Sequence, residues 1–364
     1  MSEVSATNPN RKRWRRYATR TFVLTVLYFL VLVYPVVRLL GLVIPDWQPG
    51  TLELLAIFVL PIALRASYER FPSALTRVLA ATALTWLGIS FQLFAMMLPF
   101  ELINLALPLP AQPAGFVLLA AIIALSVVGF INAQMLHVKT IRVPAPAAVQ
   151  GRTLVQISDV HIGSRSPKLL ARIVERSNAL QADYVMITGD LIDFAGISRQ
   201  ELEPLARFNA PAYFAIGNHE RYVDLNAIDE RLRALGIHVL RNATATAGPF
   251  QFIGIDDVDA VAGVATSLAR VPLSREHYGV LLYHRPDGFE AAARAAIPLT
   301  LAGHTHAGQI IPFNFIVKQV FPRMRGLHEL NGSRLYVSPG TGTWGPILRI
   351  GSRCEITRIE FVAE

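Results

Sequence analysis

Ile157-Ser158-Asp159-Val160-His161-Ile162-Gly163 is an apolar run that ends in an acid and an imidazole two residues apart. The stretch Thr153–Ser158 reads as a strand, so Asp159 and His161 fall in the loop at its C-terminal end. The same grammar recurs downstream. Tyr184–Thr188 runs into Gly189-Asp190, and Pro211–Ile216 runs into Gly217-Asn218-His219-Glu220. Gly279–Tyr283 precedes His284, and Leu299–Ala302 precedes Gly303-His304-Thr305-His306. Open α/β sheets bind ligands at such strand ends. Taken singly, each piece is ordinary. Asp159 suits a helix N-cap, Gly189-Asp190 and Gly217-Asn218 are turn pairs, and a lone His238 or His277 suits the surface. Taken together, five of the nine histidines fall in these motifs, which points to one shared site.

The set supplies two Asp, one Asn and four His as candidate ligands, enough for two metal ions sharing a carboxylate. Asp190 is the best bridge, because a carboxylate has two oxygens to share. Asp159, His161 and His306 would complete one site; Asn218, His284 and His304 would complete the other. The nitrogen and oxygen donors include no thiolate, which suits two divalent ions, Mn²⁺ first, with Fe or Zn²⁺ as alternatives. Paired ions about 3.5–4 Å apart suit phosphoester hydrolysis by a hydroxide held between them, since both ions also neutralise the phosphoryl oxygens. His219 is left over once the ligands are assigned. It is free to bind a phosphoryl oxygen or to protonate the leaving group. Asp193 and Glu220 either orient ligands from behind or are surface charges.

The first part of the chain is of another kind. The 364 residues are 52% apolar and 16% charged, against roughly 25% charged in soluble domains. The apolar excess lies before residue 137, in stretches 22–44, 47–64, 78–98 and 114–136. About 20 apolar residues cross a bilayer. These stretches also lack the polar stripe of a soluble bundle helix. Pro35, Pro61 and Gly88 fall inside spans, where membrane helices tolerate them. Arg38 lies inside the first span, with a stem long enough to snorkel to the interface.

Arginines set the expected orientation. Arg11, Lys12, Arg13, Arg15, Arg16 and Arg20 precede the first span, Arg65, Arg70 and Arg77 follow the second, and Lys139 and Arg142 follow the fourth. The other two loops carry no Lys or Arg, so both ends of a four-span bundle are expected inside the cell. Arg15-Arg16 alternatively suggests a twin-arginine export signal, although its surroundings match poorly. The expected division is a basic tail 1–21, a membrane region 22–136, a linker 137–150 and a catalytic domain 151–364. The protein is expected in the cell (inner or plasma) membrane with its catalytic domain in the cytoplasm. The net charge of +8 resides largely in the juxtamembrane arginines, and no nucleic-acid motif accompanies it. The single cysteine, Cys354, excludes an intrachain disulfide.

Segment 153–357 resembles the calcineurin-like metallophosphoesterase superfamily, nearest its YaeI-like membrane-associated branch. The matching stretches are 157–163, Thr188-Gly189-Asp190-Leu191, Ile216-Gly217-Asn218-His219-Glu220 and Ala302-Gly303-His304-Thr305-His306-Ala307-Gly308-Gln309. Tyr336-Val337-Ser338-Pro339-Gly340-Thr341 and Gly351-Ser352-Arg353 add to them. The helical half resembles transmembrane metallophosphoesterases in layout alone. The resemblance implies a C-terminal four-layer α/β/β/α sandwich behind an N-terminal α-helical transmembrane bundle, a dinuclear site and phosphoester hydrolysis. One departure is His284-Arg285-Pro286, where many relatives have Gln in the middle, a change at a position suited to substrate contact.

Three functions compete. The first is a membrane phosphodiesterase or pyrophosphatase for a lipid-linked phosphoester. The second is a tethered phosphatase of soluble or protein phosphomonoesters. The third, a non-catalytic membrane scaffold, is disfavoured by the complete ligand set. The oligomeric state is not legible in the sequence. Residues 310–330 carry Ile310, Ile311, Phe313, Phe315, Ile316, Val317, Val320 and Phe321, interspersed with Lys318, Arg323 and Arg325. They read either as core or as an amphipathic lip that dips into the membrane interface.

Overall fold

The computed structural model describes residues 9–363 apart from 195, 259 and 260, and for 9–18 and 261 the backbone only. The side chains of the tail arginines 11–16 therefore lie outside the described residues. Among the described residues, four helices are long and apolar enough to cross a membrane: 19–43, 51–70, 74–106 and 111–134. The first comprises α1 (Pro9–Tyr28), a π segment (Phe29–Val33) and α2 (Tyr34–Val43). Pro35 explains the π segment: its ring clashes with the carbonyl one turn back, and a local widening relieves the clash. The others are α3 (Thr51–Arg70), α4 (Ala74–Ala106) and α5 (Ala111–Gln134). Val36, Leu39, Leu93, Met97, Phe100 and Ile122 knit α2, α4 and α5 together. Arg38 does not stand alone in its span. Its guanidinium meets Glu101 of α4 at 2.6 Å, and Tyr34 donates to the same carboxylate at 3.2 Å.

Two six-stranded mixed sheets follow. One has the order β1-β12-β2-β3-β4-β5 and the other β10-β11-β9-β8-β7-β6. The first sheet contains β1 (Leu136–Pro144), β2 (Thr153–Ile157), β3 (Tyr184–Thr188), β4 (Ala212–Ala215), β5 (Ile237–Val239) and β12 (Cys354–Val362). The second contains β6 (Ala243–Ala247), β7 (Phe250–Gly254), β8 (Tyr278–Leu282), β9 (Leu299–Ala302), β10 (Gly326–Leu330) and β11 (Ser333–Val337). Side chains alternate along a strand. Val155, Ile157, Val185, Ile187 and Phe214 therefore face α6 (Pro167–Asn178) and α8 (Leu225–Arg233). Their neighbours Leu154, Met186 and Tyr213 point the other way, onto Phe250, Phe252 and Leu301 of the second sheet. The far face of that sheet carries Ile253, Leu281 and Tyr283 under α9 (Val261–Leu268) and α10 (Phe289–Arg294). The result is the expected α/β/β/α sandwich. Strands covered on both sides read as continuous apolar runs, which is why the sequence exposes them. Short helices α7 (Arg199–Leu202) and α11 (Phe313–Val320) complete the domain.

The linker expected at 137–150 is wrong for its first half. Residues 136–144 form β1, paired in parallel with β12 along its whole length. Ile141 and Val143 enter the inter-sheet core while Thr140 and Arg142 face outward. The period-2 pattern is present, but the basic residues between the apolar ones read as membrane-exit charges.

The sandwich is docked onto the helices, not tethered at a distance. Gly88 of α4 lies against Pro346 so closely that an added Cβ would come within 2.7 Å. Arg349 N–H donates to Gly129 O of α5 (2.9 Å), Asn132 donates back to Arg349 O (3.2 Å), and Arg77 pairs with Glu201 (2.5 Å).

Candidate metal centre

The strand-end loops of both sheets meet over one spot. Asp159 and His161 follow β2, Asp190 follows β3, Asn218 and His219 follow β4, His284 follows β8, and His304 and His306 follow β9. Five of these residues sit in the left-handed region: Asp159, His161, Asp190, His304 and His306, with φ between 49° and 73°. Non-glycine residues rarely adopt this conformation, and such strain concentrates at functional sites. The loops also touch at a glycine: an added Cβ at Gly303 would come within 2.0 Å of Ser158 Oγ and 2.2 Å of Asp159 Oδ2.

Two groups of donor atoms form, each with its atoms within 4.8 Å of one another: Asp159, His161 and His306, and Asp190, His284 and His304. In the first, His306 Nε2 lies 3.0 Å from His161 Nε2 and 3.3 Å from Asp159 Oδ1. In the second, His284 Nε2 lies 3.0 Å from Asp190 Oδ2 and 3.2 Å from His304 Nδ1. Hydrogen bonds behind the rings fix which nitrogen faces the centre. His284 Nδ1 donates to Thr188 O (2.8 Å), leaving Nε2 as the donor atom, and His161 Nδ1 is held by Asp193 (2.5 Å). Asn218 Oδ1 is buried and has no hydrogen-bond partner among the described residues. An orphaned buried acceptor calls for an explanation, and a cation is the partner this one lacks. The donor set thus fits two divalent ions. His161, Asp193 and His219 form a third group within the same limit. There, however, both imidazoles turn Nδ1 onto one Asp193 oxygen (2.5 and 2.9 Å), so the carboxylate holds rings in place.

The charges argue the same way. Burial opposes the His161 and His284 imidazolium forms. The surrounding carboxylates outweigh it, Asp193 first for His161 and Asp190 first for His284, raising the pKa values to about 9 and about 10. Burial would raise Asp190 and Asp193, but the same imidazoles hold both below the usual carboxylate range. Asp159 is pushed up, by burial first and by Asp190 next. His304 falls to about 3 and His306 also falls, through burial and the cationic neighbours His284 and His161. Carboxylates gathered this densely need positive charge.

Residues 152–308 match the family model for calcineurin-like phosphoesterases. A protein of Aquifex aeolicus named as an uncharacterized metallophosphoesterase is 30% identical over 236 residues, covering 61% of this chain and 88% of that one. The chain belongs to the calcineurin-like metallophosphoesterases. A "transmembrane protein with metallophosphoesterase domain" from Danio rerio is 36% identical over 261 residues, covering 65% of this chain and 60% of that protein. Its Bos taurus counterpart is 34% identical over 279 residues, covering 69% and 62%. The chain thus spans about three fifths of the length of these two relatives.

Within the phosphoesterase domain, Glu220 is no surface charge. Fully buried, it accepts four backbone N–H groups: Leu191 (2.7 Å) and Ile192 (3.0 Å) on Oε1, Asp190 (3.0 Å) and Gly217 (2.7 Å) on Oε2. It thereby welds the loop of Asp190 to the loop of Asn218. Burial first, and then Asp190, raises its pKa, while the N–H groups oppose the shift. Arg285 is committed to structure: its guanidinium grips Asp257 at 2.6 and 3.0 Å, alongside Arg221 at 3.1 Å.

Sequence reasoning missed Arg349. It is fully buried and donates to the carbonyls of His306 (2.9 Å), Gly340 (3.2 Å) and Gly342 (2.7 Å), clamping the loop after β9 to the loop after β11 behind the candidate ligands. Sequence reasoning missed the cavity too. A space of about 840 Å³ is lined both by Asp190, Asn218, His219 and His304 and by Leu32, Leu84, Leu87 and Phe91 of the membrane helices. Helix α11 forms its lip. None of its eight residues is buried, Phe315 and Val320 are 63% and 65% exposed, and Phe313 meets Phe91 edge-on at 6.2 Å. Phe321, just beyond, has its ring 5.1 Å from that of His304.

Proposed function

We propose that the protein is a membrane-integral, dinuclear metal-dependent phosphoesterase that hydrolyses a phosphodiester or pyrophosphate of a lipid-linked substrate. The observation that carries this reading is the shared cavity: one wall is donor atoms and the other is aliphatic and aromatic side chains of spanning helices. A substrate with a phosphoryl group at one end and hydrocarbon at the other matches both walls. The exposed apolar side chains of α11 suit contact with the membrane interface beside the cavity mouth.

In this reading Asp159, His161 and His306 would hold one ion and Asn218, His284 and His304 the other, with Asp190 shared. When bound, the ions supply Lewis acidity that lowers the pKa of a water and neutralises phosphoryl oxygens. The protein supplies the rest. Asp193 fixes His219 through Nδ1, which turns Nε2 toward Asp190 Oδ2, 3.9 Å away. From Nε2 the imidazole can deliver a proton to the departing oxygen. Leu84, Leu87 and Phe91 keep bulk water from the substrate's apolar part.

The cytoplasmic orientation is part of the proposal. Arg65, Arg70 and Arg77 lie at the end of the bundle that meets the phosphoesterase domain, where Arg77 pairs with Glu201 and the Tyr68 ring packs on Phe194. Basic loops stay inside the cell. The test is a substrate screen of detergent-purified protein with Mn²⁺. Faster turnover of lipid phosphodiesters than of phosphomonoesters supports the proposal; hydrolysis of soluble phosphomonoesters alone replaces it with a tethered phosphatase.

A further inference from the structure

The cavity between bundle and metal centre contains one side chain of fixed positive charge among its described lining residues, and a spanning helix contributes it. Arg65 lies near the end of α3. Its guanidinium sits 4.8 Å from the centre of the Phe194 ring, and Phe194 directly follows Asp193, which holds His161 and His219. Nη1 of Arg65 lies 3.0 Å from Glu69 Oε1, one turn on, yet it is buried and out of line for a hydrogen bond. Glu69 itself is 64% exposed. Exposed pairs of this spacing are weak, so Glu69 yields to a stronger partner.

The other arginines of this loop behave as orientation signals should. Arg70 is exposed beside Phe71, and Arg77 is bound to Glu201. Arg65 alone turns inward. It lines the same cavity as Leu84, Leu87 and Phe91 and the donor atoms, and its contact with Phe194 sets it one residue from Asp193, on the side where a lipid-linked substrate would carry its headgroup. A guanidinium over an aromatic face still directs its N–H groups outward in its own plane, the geometry that grips phosphate or carboxylate through two parallel bonds once Glu69 yields.

We infer that Arg65 is a specificity-determining residue that binds a second anionic group, a phosphate or carboxylate, carried by the same molecule as the scissile phosphoryl group. The inference deepens the proposed function and rests on it for the path of the substrate, whereas the anion itself can come from a lipid headgroup or a soluble molecule.

Four substrates separate these cases in full-length, detergent-purified protein with Mn²⁺: a diacyl lipid phosphodiester, a diacyl lipid pyrophosphate, a soluble bis-aryl phosphodiester and a soluble nucleoside pyrophosphate. Arg65→Gln should raise KM for both pyrophosphates by about 10- to 100-fold, the range for a lost charge-assisted hydrogen-bonding partner. Its effect on kcat, and on the two single-phosphate substrates, should stay within about threefold. Arg65→Lys, which keeps charge but loses the paired geometry, should fall between. Arg70→Gln should give no split between the substrate types. An equal loss on all four substrates, no loss on any, or the same pattern for Arg70→Gln would overturn the inference. If Arg65→Gln does not fold, Arg65→Lys decides: a selective rise in KM for the pyrophosphates supports the role, and none overturns it. If the wild type cleaves the soluble pair and neither lipid, the lipid reading fails, while Arg65 is still judged on the soluble pair.

Discussion

Glu220→Gln is the sharpest test of how the metal centre is held. The carboxylate uses both oxygens, two N–H groups on each. Glutamine keeps one oxygen and turns an NH₂ toward the other pair, so two buried donors lose their acceptor and face a donor. Each such loss costs about 1–3 kcal/mol, hence roughly 2–6 kcal/mol together. Removing the charge relieves repulsion with Asp190, which returns about 1 kcal/mol of that and leaves about 1–5 kcal/mol. In a domain of 150–250 residues each kcal/mol moves the midpoint by about 2–4 °C, so Tm should fall by about 2–20 °C. The damage is also local, because the bonds lost fix the loops of Asp190 and Asn218. Metal affinity or turnover should fall by about 10- to 100-fold, as when other outer partners of a metal ligand are removed. Thermal unfolding by intrinsic fluorescence and chelator competition with Mn²⁺ read the two effects. A midpoint within about 1 °C of wild type, with unchanged metal affinity, would refute the reasoning.

Three further outcomes are expected. His219→Ala should keep both metals and lose about 10²–10⁴-fold in turnover, because its ring is held by Asp193 and faces the cavity; loss of metal would make it a ligand. An impermeant maleimide should label Gln48→Cys in intact cells and Ala148→Cys only after permeabilisation, Cys354 being buried and silent; the reverse pattern would overturn the cytoplasmic orientation. Phe315→Ser with Ile316→Ser should lower turnover of a lipid phosphodiester while sparing a small soluble ester, with Tm unchanged because both side chains are exposed; equal loss on both substrates would make α11 part of the domain's packing.

Much of this molecule was legible in its residues, for physical reasons. Strands β2, β3, β4 and β9 are buried on both faces and carry chemistry at their ends, so apolar run and motif mark them together. Strand β6, Ala-Thr-Ala-Thr-Ala, lies at an edge with little apolar content and passed unseen. Strand β12 lies inside the first sheet, yet alternates Cys354, Ile356, Ile359 and Phe361 with Glu355, Arg358 and Glu360, so no apolar run announces it. Strand β1 was hidden the same way by Lys139 and Arg142. The motifs that carry the candidate ligands were legible because spacing and residue type survive in one dimension. Arg349, the inward turn of Arg65 and the cavity depend on how bundle and sandwich dock, and no local pattern encodes that. Glu220 and Asp193 lay between: two and three residues from candidate ligands in sequence, but distinguishable from surface charges only by burial.

The most direct test counts metal and turnover in the same sample. Native mass spectrometry of wild-type protein loaded with Mn²⁺ should give two ions per chain together with hydrolysis of a lipid phosphodiester. Asp190→Asn, which leaves one oxygen where two ions need to be joined, should bind fewer than two ions and retain under about a tenth of the turnover. Two bound ions with more than a tenth of wild-type turnover in Asp190→Asn would contradict a dinuclear centre built around Asp190.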